Sequence, residues 1–124
     1  MIESAPYYAL MADDLYLPDL DDGDFRRLID ARRLVIIKFW SEEQGQHSAY
    51  HGAIARAAEK HPEVAFAQSN VDLHHNLALR THALDTPSIQ GWVDGNLVKS
   101  QSGELNENEI ETFIREIKTH KITP

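Results

Sequence analysis

His47 and His51 stand four residues apart in the stretch SEEQGQHSAYHG, so on a helix their imidazoles share a face and could share a metal ion. His74 and His75, beside Asp72, offer further ligands. Two histidines leave most of a coordination shell empty, however, and adjacent residues on a helix point in different directions, so solvated polar side chains are the expectation. His47 could instead act as a general base toward Ser41 or Ser48, because imidazole titrates near neutrality. No Gly-x-Ser-x-Gly elbow and no orienting acid at a telling spacing accompanies it, which argues against nucleophilic hydrolysis. The sequence contains no cysteine, which removes disulfides, cysteine-based zinc sites and thiol exchange together. The expectation is a protein with no catalytic residue, no metal and no cofactor.

These side chains need elements to hold them. Val35, Ile36, Ile37, Phe39 and Trp40 form an apolar run broken only by Lys38, as in a central strand covered on both faces. QHSAYHGAIARAAEKHP follows, with small apolar residues suited to close packing on a sheet and Pro62 to end the helix. VAFAQSNVD reads as a second central strand. The span Leu73 to Leu84 supplies Leu77, Ala78 and Leu84 for another helix, and DTPSIQGWVDGNLVKSQSG reads as two strands around a turn at Asp94-Gly95 or Gly95-Asn96. Upstream, LYLPDL has strand-like side chains around a proline that suits a sheet edge, and DDGDFRRLID sets Phe25, Leu28 and Ile29 at helical spacing behind acidic caps. Near the end, Asn106 with Glu109 has the form of a capping box, followed by the stripe Ile110, Phe113, Ile114, Ile117. The order βαβαβαββα implies a mixed sheet inside a three-layer α/β/α sandwich.

A chain of 124 residues suits one domain, expected over 15–120, with an N-terminal extension at 1–14 and a short tail at 121–124. A net charge of -8 repels phosphate backbones and anionic lipid, so neither nucleic acid nor membrane is expected as a partner. MIESAPYYALMADDLYL lacks the basic start and apolar core of a signal peptide, so the cytoplasm is the expected location. The acidic runs DLDDGD and ELNENEIE read as helix-start acids that complement the helix dipole.

Several stretches together resemble the thioredoxin family, over roughly residues 15 to 120. VIIKFWSEEQGQH is similar to the family's strand, Phe-Trp pair and Cys-Gly-Pro-Cys turn. NVD at 70–72 resembles the close of its next strand, TPS at 86–88 falls at its cis-proline loop, and Gly103 falls where a glycine precedes its last helix. The resemblance puts Gln44 and His47 at the two cysteine positions, keeps Gly45 and replaces the proline by Gln46. Neither an amide nor an imidazole can form the mixed disulfide on which thioredoxin chemistry depends. Where redox-active members carry a half-buried aspartate and a neighbouring lysine, this chain has Lys38 and Gln68, and Gly52 replaces the proline that kinks the family's second helix.

Lys38 has two readings, a stem that packs while the ammonium reaches solvent or a buried ion pair. Trp40 would serve either as packing or as one wall of the groove that thioredoxin-like proteins use for peptides. Thr86-Pro87 would serve either as a fold requirement or as a backbone edge offered to an extended segment. The resemblance thus implies a redox-silent domain that binds a protein or peptide partner through Trp40, Gln44, Gly45, Gln46, His47, Thr86 and Pro87. Such domains include the holdase domains of some bacterial chaperones, which the FWSE and QH of this turn resemble, and the chaperones of hydrogenase maturation. The competing reading is a non-thiol enzyme or a metal-binding protein using His47 and His51.

Overall fold

The computed structural model describes residues 17–43, 49–83 and 85–120. The first helix, α1 (Asp22–Ala31), begins at a reciprocal capping box in which Asp21 accepts from the Asp24 amide and the Asp24 carboxylate accepts from that of Asp21. Its buried side chains are Phe25, Leu28 and Ile29. The strand β1 (Leu34–Trp40) follows, then α2 (Ala49–Lys60), β2 (Ala65–Asn70), α3 (His75–Arg80), β3 (Ser88–Val93), β4 (Asn96–Ser102) and α4 (Glu107–Lys118). The four strands lie in the order β2-β1-β3-β4, with β1 and β2 parallel and the other two pairings antiparallel.

Side chains alternate across β1 and so divide the core into two layers. Leu34 and Ile36 pack with Tyr50, Ile54, Ile110, Phe113 and Ile117 of α2 and α4, while Val35, Ile37 and Phe39 pack with Phe25, Leu28, Ile29 and Leu77 of α1 and α3. The stripe on α4 is buried throughout, and its Asn106–Glu109 capping box is formed. The turn between β3 and β4 is Asp94-Gly95, both with positive φ, as a two-residue type I′ hairpin requires.

Two expectations need correction. LYLPDL does not make a strand within its described residues; a single parallel bridge joins Asp19 to Gln68. Pro18 has no N–H to extend the ladder on one side, and on the other the amide of Asn70 donates to the Asp19 side chain at 2.9 Å. VAFAQSNVD, expected to be central, is one of the two outer strands of the four. It is nevertheless buried along its whole length, because residues 17–20 lie along its open edge, with Leu20 N–H donating to Gln68 O at 2.8 Å and Gln68 N–H to Pro18 O at 2.9 Å.

Candidate functional site

The parallel strands β1 and β2 end, β3 begins and β4 ends at one edge of the sheet, so four connections meet the sheet there, described over 41–43, 71–74, 81–83 with 85–87, and 103–106. Short hydrogen bonds bind these connections to each other. The amide of Glu42 donates to the Asp72 carboxylate at 2.9 Å, Asn70 Nδ2 donates to Glu42 Oε2 at 3.3 Å, and the amide of Gly103 donates to Pro87 O at 2.8 Å. Gly103 has φ 92, the left-handed geometry in which a side chain would be strained.

Of the residues expected at the site, Trp40, Thr86 and Pro87 come together. Trp40 closes β1 and is half-buried, and the neighbouring Phe39 pairs with Ser88, which places the cis Thr86–Pro87 peptide directly beyond the end of β1. Among the described residues neither the Trp40 indole N–H nor the Ser88 hydroxyl, both buried, has a hydrogen-bond partner. Gln44, Gly45, Gln46 and His47 lie outside the described residues, as does Ser48.

Lys38 lies one turn of the pleat below Trp40, on the face toward α2 and α4. It is 2% exposed, so its ammonium does not reach solvent, and no carboxylate pairs with it directly among the described residues. Its Nζ sits 3.1 Å from His51 Nδ1 and 5.6 Å from the centre of the Tyr50 ring. Both readings of Lys38 from sequence are thereby replaced: the partner of the buried amine is an imidazole and an aromatic face. A charged lysine can only donate, so His51 Nδ1 accepts and the ring proton belongs on Nε2. Burial pulls the Lys38 amine down from 10.5 to about 8, opposed by the negative charge of Glu104. Burial, and after it Glu104, pushes the Tyr50 phenol above its ordinary range.

Of the other histidine candidates, His75 is exposed, His47 lies outside the described residues, and His74 is engaged. His74 Nε2 lies 2.7 Å from Asp19 Oδ2, pinning residues 17–20 to the start of α3. Among the described residues no group of three or more histidines and carboxylates is placed to hold a metal ion. Tyr50 and Glu104 were not singled out from sequence. The available signal was the lysine inside an apolar strand, which demands polar company, but not which residues supply it.

This sheet order, the cis-proline at the strand ends and the helix following β1 define a thioredoxin fold. The chain belongs to the thioredoxin family, whose sequence model matches residues 17–116. No protein of curated function matches it. Among solved structures it is similar to the oxidized form of mitochondrial thioredoxin 3 from Saccharomyces cerevisiae, at 22% identity and a TM-score of 0.74, over 81% of this chain and 94% of that one. It is similar also to a thioredoxin mutant from Halobacterium salinarum NRC-1 (18%, 0.75, 87% and 93%) and to Fasciola hepatica thioredoxin (24%, 0.73, 82% and 98%). At these identities the likeness establishes the fold. The chemistry follows from this chain's own residues, which include no thiol. Among the described residues no helix is long and apolar enough to cross a membrane.

Proposed function

We propose that this domain acts by binding a protein segment and not by catalysis, as a scaffold, chaperone-like or assembly module. The observation that carries this reading is the combination of a complete thioredoxin frame with the absence of cysteine. Disulfide exchange needs a thiolate to attack and a second thiol to release the mixed disulfide. What this frame retains among the described residues is a surface at the strand ends where Trp40 and the cis Thr86–Pro87 peptide lie together, and the reading assigns residues 44–47 to the same binding surface. The enzyme reading is weakened by His51, whose Nδ1 is held by Lys38 and not offered to a substrate or metal.

Insulin reduction by dithiothreitol tests the chemistry: the purified chain should leave the uncatalysed rate unchanged. Partner capture tests the binding: Trp40→Ala and His47→Ala should each reduce recovery of proteins that the unaltered domain retains. Recovery unchanged by both substitutions would place the binding site elsewhere.

A further inference from the structure

Resting on the binding reading above, we propose that the segment held at the strand ends is extended and basic, its lysine or arginine side chains answering carboxylates that have no cationic partner within salt-bridge distance among the described residues. The four connections at this end contain no lysine or arginine, yet they carry Glu42, Glu43, Asp72, Asp85 and Glu104, all exposed. Among the described residues none of these five has a lysine, arginine or histidine within salt-bridge distance. The hydrogen bonds they accept come from uncharged donors, the Glu42 amide and Asn70 Nδ2.

Most acids elsewhere meet a cation. Asp22 meets Arg80 at 2.8 Å, Asp24 meets Arg27 at 2.6 Å, Asp94 meets Arg33 at 3.7 Å and Glu116 meets Lys99 at 2.8 Å, while Glu63 pairs with Lys118. Asp21 and Glu109 cap helices. The opposite end of the sheet mixes signs, with Arg32 and Arg33 before β1 and Asp94 in the hairpin. The negative potential therefore concentrates at one end, the end that bears Trp40 and Pro87.

A second feature at this end suits a long cationic side chain. A cleft of about 350 Å³ opens between α2 and the 103–106 connection, lined by Tyr50, Ala53, Arg56, Glu104, Asn106 and Glu107 among others. Arg56 is already bound to Glu107, at 2.6 Å, while Glu104 acts on the buried Lys38 through space and has no cation within salt-bridge distance among the described residues. On the inner wall stands Tyr50, 3% exposed, whose buried hydroxyl has no hydrogen-bond partner among the described residues. A phenol kept protonated there retains oxygen lone pairs for a lysine or guanidinium donor. An acidic segment or a nucleic acid would instead meet like charge.

Titration of the ¹⁵N-labelled domain with three synthetic peptides of equal length tests this. One alternates lysine with threonine, one glutamate with threonine, and one serine with threonine. The lysine peptide should bind about tenfold or more tightly than the serine peptide at low salt, and this advantage should shrink toward physiological ionic strength. The shifted amides should include Trp40, Asp85 and Glu104, and the double variant Asp85→Lys/Glu104→Lys should reverse the preference toward the glutamate peptide. Equal binding of all three peptides at those amides would overturn the charge selection and leave the groove intact. No binding of the lysine peptide would also overturn it, while the Trp40→Ala capture experiment decides the underlying reading separately.

Discussion

Lys38 is an amine placed among Ile36, Tyr50 and Ile89 in the layer of core between the sheet and α2, where water does not reach it. Its pKa falls because burial penalises the charged form more than His51, Tyr50 and Glu104 together repay. The unfolded chain therefore holds this proton more tightly than the native one. The resulting penalty is present in full below about pH 8 and disappears as pH rises toward 10.5. The shift corresponds to roughly 3 kcal/mol. Lys38→Met keeps the volume and removes the amine, at the expense of one hydrogen bond worth about 1 kcal/mol. Urea unfolding at pH 7 should show the variant about 1–3 kcal/mol more stable. Between pH 8 and 10 the unaltered protein should gain stability relative to the variant; above 10 the raised Tyr50 works in the opposite direction, because the unfolded phenol ionises first. A lysine inside VIIKFW was visible from sequence as an anomaly. Its state was not, because the imidazole and phenol that meet it come from another element.

At the level of elements, periodicity located the helices and strands and left their ends to local geometry. The helix expected from Leu73 to Leu84 stops at Arg80 in a Schellman motif, with His82 in the left-handed region at φ 62, Ala83 N–H bonded to Ala78 O and His82 N–H to Leu79 O. Left-handed geometry strains a side chain that has a Cβ, so His82→Gly should raise stability by about 0.5–1 kcal/mol in denaturant unfolding. Only glycine or asparagine at this position would have advertised the stop; histidine concealed it. The opposite lesson comes from Gly91, inside the strand segment SIQGWV. A Cβ built there would stand 2.6 Å from Ile117 Cγ2 and 3.0 Å from Phe113, so α4 rests directly on the β3 backbone. Gly91→Ala should cost about 1–3 kcal/mol, and the loss should be partly recovered by Ile117→Val or Ile117→Ala in the same background.

Across the whole molecule, sign and position of charge are segregated. A net charge of -8, with carboxylates at the strand ends that have no salt-bridge partner among the described residues, makes the native state self-repelling there. Added sodium chloride should therefore raise the melting temperature modestly up to a few tenths molar, and Asp85→Asn with Glu104→Gln should flatten that response in calorimetry. The layered α/β class, the apolar strand β1, the capped α4 and the absence of thiol chemistry are legible in the residues alone, since hydrophobic period, capping residues and elemental composition are local or global properties of the chain. It takes the folded arrangement to show that residues 17–20 cover the edge of β2, that Lys38 finds His51 thirteen residues away, and that carboxylates from four separate connections share one end. Each of these depends on which distant segments the sheet brings side by side, and that adjacency is fixed by the packing of the complete fold.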